Sequence, residues 1–465
     1  MLLDKKIFRA YDIRGEYQTL FDAEGFFIAA KSYAKYLKQK HNLETVKILV
    51  TSDGRTSHKD LFPAVLAGLD SENCDITFGG ITTTPINFFA MKTENFDASL
   101  QISASHNPAQ DNGLKLTDRN GSVCGDEIQE VLKIAQNLIT KNTEIPSFEA
   151  FKNFEITEFG QKYTDFIKQI SPTFEKKYKI VIDAGNGVAG SFYPDVFRAL
   201  GHEVVELYCD LNGNFPNHQP DPERPENTAD CQAKVLAEKA DFGMCFDGDG
   251  DRVGILLNDG KLLSADKILF ALGLNYLKNC PNEKIVIDIM SSATLISKLE
   301  HLGGNVIVSP TGHSFIEENM HKEKADFGGE QSGHFMFGKK FWNFLGHDDA
   351  CFAGIHFLAA LEESPEILTE ITTNWTNLLE LSEKFTAPDE EKFAIVSKFS
   401  EEIQKQDFPK TNTIDGIRID FDESEWAIIR CSNTSPKIAI RIEAYNEASL
   451  NEKKKLLVDN LKKFL

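Results

Sequence analysis

Lys47-Ile48-Leu49-Val50-Thr51-Ser52-Asp53, Lys179-Ile180-Val181-Ile182-Asp183-Ala184-Gly185 and Lys284-Ile285-Val286-Ile287-Asp288 are the same short strand written three times. A continuous apolar run of this length, rich in β-branched residues, reads as a strand covered on both faces. Each is followed by a helix-like stretch and answered by a second strand ending in a loop: 74–78 before Gly79-Gly80, 203–208 before Asp210, and 305–308 before Ser309-Pro310. Strand, helix, strand at three places predicts three related, parallel, doubly wound α/β domains.

The chain of 465 residues is too long for one core, so three or four domains are expected. After about Leu361 the texture becomes acidic and helical. From Thr413 onward, 414–421, 427–430 and 437–443 alternate like antiparallel strands, before a closing helix with Leu450, Leu457, Leu461 and Phe464 on one face. That predicts a smaller α+β domain at the C-terminus. The expected boundaries are 1–152, 153–260, 261–373 and 374–465.

The formal charge of −21 argues against a nucleic-acid or anionic-membrane partner, and an anionic substrate would need local clusters of cations. The eight cysteines show no C-x-x-C pair, so reduced, packed thiols are expected. No signal-peptide pattern or membrane-length apolar run is visible, and the cytoplasm is the expected compartment.

Asp247-Gly248-Asp249-Gly250-Asp251-Arg252 follows an apolar stretch, 240–246, that reads as a strand. Three carboxylates at the carboxyl end of a strand offer hard oxygen ligands to a cation such as Mg²⁺, where open α/β sheets place their ligands. An EF-hand also starts D-x-D-x-D, but its sixth and twelfth positions want Gly and Glu, and Arg252 and Asn258 stand there. Phosphotransferases with an aspartate nucleophile follow D-x-D with Thr or Val, where this chain has Gly250. An acidic surface turn is the bland alternative, against which the mutual repulsion of three close carboxylates argues.

In Ser103-Ala104-Ser105-His106-Asn107-Pro108 a serine stands beside a histidine, and Asn112-Gly113-Leu114-Lys115 reads as a turn followed by a lysine. A phosphorylated Ser105 would bring nearly two negative charges and three acceptor oxygens, one of which could complete a cation's shell. Arg430-Cys431-Ser432-Asn433-Thr434-Ser435-Pro436 reads as a turn between strands that could cup a phosphate, and an ordinary polar hairpin loop would look similar. Gly328-Gly329-Glu330-Gln331-Ser332-Gly333-His334 could serve sugar hydroxyls or proton transfer.

These segments, with Phe8-Arg9-Ala10-Tyr11-Asp12-Ile13-Arg14-Gly15, Asn212-Gly213-Asn214-Phe215-Pro216-Asn217-His218, Pro220-Asp221-Pro222 and Thr311-Gly312-His313-Ser314, occur in the order found in one family. Over essentially its whole length the chain resembles the α-D-phosphohexomutases, of the bacterial phosphomannomutase/phosphoglucomutase type. The resemblance implies four domains around a central cleft, carrying in turn the phosphoserine, the metal, the sugar site and the phosphate site. It implies that Ser105 carries the phosphoryl group, and that Asp247, Asp249 and Asp251 bind Mg²⁺ together with an oxygen on Ser105. Arg252 and Lys115 would stabilise the transferring group, with Lys115, His106 and His334 as candidates for proton transfer. Glu330 and Ser332 would hold sugar hydroxyls. Arg430, Ser432, Asn433 and Thr434 would grip the phosphate that is not reacting, and Tyr11, Arg14 and His313 would line the cleft.

The implied reaction moves a phosphoryl group between the 1- and 6-positions of mannose or glucose phosphate, through a hexose 1,6-bisphosphate that is both intermediate and activator. A monomer is expected, with a dimer as the alternative. Three residues depart from the pattern: Gln331 is more usual in phosphoglucosamine mutases, Met290 replaces a lysine and Ser103 replaces a threonine. A phosphoglucosamine mutase, a metal-dependent sugar phosphatase and a catalytically silent sugar-phosphate binder are the alternative readings.

Overall fold

The computed structural model describes residues 1–388, 390–432 and 436–465. In chain order, residues 1–264 carry β1 (Ile13–Glu16), α1 (Ala23–His41), β2 (Lys47–Ser52), α2 (His58–Asp70), β3 (Asp75–Ile81), α3 (Thr84–Thr93), β4 (Ala98–Ile102), β5 (Asp111–Asp118), β6 (Gly121–Ser122), α4 (Asp126–Thr140), α5 (Gly160–Ile170), β7 (Lys179–Asp183), α6 (Tyr193–Ala199), β8 (Glu203–Leu207), α7 (Ala229–Glu238), β9 (Phe242–Phe246) and β10 (Val253–Leu257). Residues 265–331 carry α8 (Ala265–Asn279), β11 (Lys284–Asp288), α9 (Ala293–His301), β12 (Asn305–Ser309), α10 (His313–Glu323) and β13 (Phe327–Gly329). Then come β14 (Phe335–Phe337), β15 (His347–Asp348) and α11 (Ala350–Glu363). The remainder holds α12 (Glu366–Thr372), β16 (Leu379–Thr386), α13 (Lys392–Ile403), β17 (Lys410–Asn412), β18 (Ile417–Asp420), β19 (Trp426–Cys431), β20 (Lys437–Ala444) and α14 (Glu447–Leu461).

The chain divides into two compact units, residues 1–264 with 332–362, and residues 265–331 with 363–465. In the first, one sheet runs β1-β5-β4-β2-β3, with β6 on β5, and another runs β10-β9-β7-β8. The repeated strands β2 and β7 pair in parallel on both sides, with β3 and β4 and with β8 and β9 respectively. Beyond its lysine every residue of each is buried, as strands under two helical layers must be. The sheets are not wholly parallel, however. β5 is antiparallel to both β4 and β1, and β10 is antiparallel to β9. Between β4 and β5 and between β9 and β10 a short connection folds the chain straight back, and a crossover helix has no room to form. The two connections that break the parallel rule are the serine loop and the aspartate loop.

Local chemistry sets the helix starts. Asp22 accepts Gly25 N–H to cap α1, while Thr83 accepts Ile86 N–H ahead of Pro85 in the first turn of α3. The core of the first sheet, including Phe26, Phe27, Ile48, Val50, Leu66 and Leu100, is fully enclosed.

In the second unit β11 pairs in parallel with β12 and β13. A separate sheet runs β16-β20-β19-β18-β17, antiparallel throughout. The face of α14 predicted to be apolar packs there, with Leu457 and Leu461 buried and Leu450 and Phe464 partly so. Two expectations need correction. Asn112-Gly113 is not a turn but lies inside β5, paired with β1. The acidic stretch after Leu361 is not helical throughout, because its residues 379–386 form β16 against β20.

Candidate active site

Two loops of the first unit meet, one leaving β4 and the other leaving β9. Ser105 stands on the first with a left-handed backbone, φ +50°. Such a conformation costs an L-residue roughly 1–2 kcal/mol, so neighbours have to hold it. Ser103 Oγ accepts the Ser105 N–H at 2.8 Å and donates to Asp53 Oδ2 at 2.8 Å and Asp249 Oδ2 at 3.1 Å. Arg55, fully buried, donates to the carbonyls of Ser105 at 2.6 Å, Asn107 at 2.8 Å, Pro108 at 2.6 Å and Asp111 at 2.9 Å. Its Nε reaches Asp53 at 3.0 Å.

The aspartate loop is folded around one carboxylate. Asp247 Oδ1 accepts the N–H groups of Gly250, Asp251 and Arg252 at 3.0 to 3.2 Å. Its other oxygen takes Arg252 Nε at 3.1 Å and the Ser105 hydroxyl at 2.7 Å. Gly248 admits no side chain, since a Cβ there would lie 2.5 Å from the Ser105 carbonyl oxygen. Thr84 donates to Asp249 Oδ2 at 2.6 Å, and Lys115 Nζ pairs with the same oxygen at 2.6 Å and with Asp251.

The three carboxylates bring an oxygen each within 4.8 Å of one another, all fully buried. Among the described residues, Asp249 Oδ1 and Asp251 Oδ1 have no hydrogen-bond partner. Burial pushes the Asp251 carboxyl up to about 8, reinforced by Asp249 and against the pull of Lys115. Burial raises Asp249 too, but the charge and hydrogen bond of Lys115 outweigh it and hold Asp249 well below the carboxylate range. An all-oxygen set with two unsatisfied atoms fits a hard divalent cation.

The other candidates of this unit gather here. His106 Nδ1 lies 3.2 Å from Ser105 Oγ, and burial, then Arg252 and Arg14, hold its imidazole well below its ordinary value. His334 Nδ1 contacts Asp348 Oδ2 at 2.6 Å and lies 3.7 Å from Asp251 Oδ1. Arg14 pairs with Asp12 and reaches Asn107 Oδ1 at 3.4 Å. Arg252 also approaches Glu223 at 3.4 Å. Tyr11 is half-buried in the segment before β1, and Ser332 is half-buried just ahead of His334.

The rest belong to the second unit. His313 opens α10 and is nearly buried. Glu330 Oε2 accepts Gly312 N–H at 3.0 Å, while Thr311 N–H donates to Asp415 Oδ2 at 3.3 Å. Asp415 Oδ2 also pairs with Arg430, at 2.9 Å to Nη2. Ser432 lies beside Lys392, whose Nζ donates to its carbonyl at 2.7 Å, and Asn433 and Thr434 lie outside the described residues. Met290 packs against Ile289, Ala293, Trp426 and Ile428. Gln331 N–H donates to Asp288 Oδ1 at 3.3 Å, and burial followed by Glu330 pushes the Asp288 carboxyl up to about 7. Reasoning from the sequence missed Arg55, Asp53, Thr84, Asp348, Asp415 and Lys392; of these only Asp53, closing a repeated strand, carried a visible signal.

In the first unit a serine hydroxyl held against a buried carboxylate triad on α/β sheets defines a phosphotransfer protein, and comparisons with known proteins agree with it. Family models for phosphoglucomutase/phosphomannomutase match as α/β/α domain I over residues 5–142, domain II over 161–260, domain III over 264–378 and the C-terminal domain over 383–459. The chain is 34% identical to a phosphomannomutase/phosphoglucomutase of Pseudomonas syringae, covering 99% of this chain and 96% of that one. It is 32% identical to a phosphoglucomutase of Neisseria gonorrhoeae, covering 96% and 95%. A phosphoglucomutase/phosphomannomutase family protein of Burkholderia thailandensis superposes with a TM-score of 0.87 at 29% identity, covering 100% of this chain and 98% of that one. The chain belongs to the phosphoglucomutase/phosphomannomutase family. No described helix is long and apolar enough to cross a membrane.

Proposed function

We propose that this protein is a phosphohexomutase that interconverts the 1- and 6-phosphates of mannose or glucose through a phosphorylated Ser105. The observation that carries this is the Ser105 hydroxyl on Asp247 at 2.7 Å, with His106, Lys115 and Arg252 around it. Segments 1–152, 153–260, 261–373 and 374–465 are read as its phosphoserine, metal, sugar and phosphate domains.

In the forward half-reaction the bond from Ser105 Oγ to phosphorus breaks as a bond from phosphorus to the sugar's free hydroxyl forms. The hydroxyl proton passes to His106 or His334, because Lys115 is already an ammonium held between Asp249 and Asp251. The resulting hexose 1,6-bisphosphate turns around, and its other phosphate restores phosphoserine. Positioning and charge carry most of such a transfer. Lys115 and Arg252 supply cationic charge beside the transferring group, and Asp348 fixes the orientation of the His334 ring. Glu330 and Ser332 hold sugar hydroxyls, Arg430 and the loop after it hold the distal phosphate, and Tyr11, Arg14 and His313 complete the sugar-phosphate surroundings.

Asp247, Asp249 and Asp251 hold Mg²⁺ in this reading, and bound there it supplies Lewis-acid stabilisation of the phosphoryl oxygens. Phosphorylation removes the proton Ser105 gives to Asp247 and sets a phosphate dianion against a carboxylate. A cation held by the aspartates would offset that repulsion, together with Arg252 and Lys115.

The test offers mannose 1-phosphate, glucose 1-phosphate and glucosamine 1-phosphate in parallel, with Mg²⁺ and a trace of hexose 1,6-bisphosphate. Turnover of the first two with little of the third is expected. Preference for glucosamine 1-phosphate would make Gln331 the better reporter of the sugar. Release of inorganic phosphate without an isomer would make the protein a phosphatase.

A further inference from the structure

The motif Asn212-Gly213-Asn214-Phe215-Pro216-Asn217-His218 has no part in the mechanism above, yet with Gln219 after it the segment reaches the serine loop directly at His106 and indirectly through Arg55. Phe215 has a left-handed backbone, φ +48°, uncommon for a bulky residue and worth a physical reason. That conformation lays its ring over the Arg55 guanidinium, 5.1 Å from the ring centroid. Arg55 is the residue whose donors gather four carbonyls of the serine loop. Two residues back, Gly213 bridges to Arg55, and a Cβ there would lie 2.5 Å from the Gly54 carbonyl oxygen. Further on, Gln219 Nε2 donates to the His106 carbonyl at 2.7 Å.

The other side of loop 212–219 is tied to the end of β7. Asn186 O accepts the Asn212 N–H at 3.0 Å and Asn186 Oδ1 accepts Asn217 Nδ2 at 2.7 Å, while His218 Nε2 lies 3.2 Å from Asp183. β7 pairs with β9, the strand that delivers the aspartate loop. Loop 212–219 therefore ties the serine loop to the sheet that carries the aspartates.

We propose that loop 212–219 is a brace for phosphoryl transfer, in which Phe215 on Arg55 and Gln219 on His106 are positioning residues that hold Ser105 in register with the aspartate loop. A ring face over a desolvated guanidinium and a hydrogen bond to a loop carbonyl both resist displacement of the serine loop. A displacement of about 1 Å at reacting atoms costs on the order of 10²-fold in rate. The brace thus acts on kcat and leaves hexose-phosphate binding alone.

This inference rests on the mutase reading, and its test has one arm that does not. The full chain, charged with glucose 1,6-bisphosphate, is compared as wild type, Phe215→Ala, Gln219→Leu and the rescue variant Phe215→Trp. Expected are losses in kcat of about tenfold or more for Phe215→Ala and Gln219→Leu, KM for the hexose phosphate within about twofold, and recovery in Phe215→Trp. In the independent arm, amide hydrogen exchange in the peptide spanning residues 103–111 speeds up in both damaging variants. Gln219→Leu removes a single hydrogen bond and carries the test if Phe215→Ala does not fold. Unchanged exchange, kcat within twofold of wild type, or a KM effect as large as the kcat effect overturns the brace. A wild type without mutase activity whose exchange still responds to both variants sinks the mutase reading and leaves the brace standing.

Discussion

Lys115 Nζ lies 2.6 Å from Asp249 Oδ2 and is also paired with Asp251, so one buried ammonium serves two of the three carboxylates of the aspartate loop. Removing one partner of a buried pair leaves uncompensated charge, at a cost of about 3–5 kcal/mol. Lys115→Met is therefore expected to melt well below wild type in a chelating buffer, and added Mg²⁺ should raise its melting temperature more than it raises that of wild type. Equal melting of the two proteins in the chelator would contradict the pairing.

Asp249→Ala deletes an Oδ1 that has no hydrogen-bond partner among the described residues and the acceptor shared by Lys115, Thr84 and Ser103. Catalytic rate and the response to Mg²⁺ are expected to fall together. A titration of activity against Mg²⁺ checks this, and an unaltered half-saturation point would remove Asp249 from the ligand set.

Ser105→Ala tests the nucleophile. Turnover should drop on the order of 10³-fold or more, while hexose-phosphate binding by calorimetry survives. The mass increment of one phosphoryl group, expected on wild type after exposure to hexose 1,6-bisphosphate, should be missing from the variant. Full turnover by Ser105→Ala would mean that the phosphoryl group is carried elsewhere.

Arg430→Ala should raise KM for the hexose phosphate about tenfold or more, because a charge-assisted contact to phosphate is worth roughly 1.5–3 kcal/mol. Steady-state kinetics decide it. An unaltered KM would place the distal phosphate away from Asp415 and Arg430.

Acid stability should report two buried histidines that the mechanism does not use. Burial lowers His58, stacked on Phe62 and Phe78, from 6.5 to about 4, and lowers His356, against Trp342 and Phe352, to about 3. The folded state refuses protons that the unfolded chain accepts below pH 6.5. Stability is therefore complete above that pH and falls as pH drops, by up to about 1.4 kcal/mol per pH unit per histidine, until the folded values are reached. Chemical unfolding of His356→Phe between pH 7 and pH 4 should show a shallower decline than wild type; an identical slope would mean His356 titrates freely in the fold.

The repeated strands made the α/β layering readable because burial on both faces leaves a continuous apolar run, and β2, β7 and β11 carry one. The antiparallel members escaped, since nothing in β5 or β10 as a string of residues records which way the chain turned. β16 was hidden by composition: Glu380, Glu383 and Lys384 crowd a half-exposed strand whose period of two is carried by a few residues. In the site, residues clustered along the chain were legible, as Ser105 with His106 and the three aspartates were. Arg55 and Asp348 were not, because each takes its meaning from partners that only the fold brings near. Arg55 reads as a lone arginine after a glycine until its donors are counted against carbonyls some fifty positions away.

The turn at Thr311 and Gly312 hands one amide to Asp415, which holds Arg430, and the next to Glu330. Two consecutive peptide units thus set the spacing between the Arg430 guanidinium and the Glu330 carboxylate. A gauge of that kind measures the length of a ligand without reading its direction. Under the mutase reading proposed above, a hexose phosphate presented from its C1 end or its C6 end would meet the same pair of grips, so that one surface would suffice for both halves of a reversible exchange.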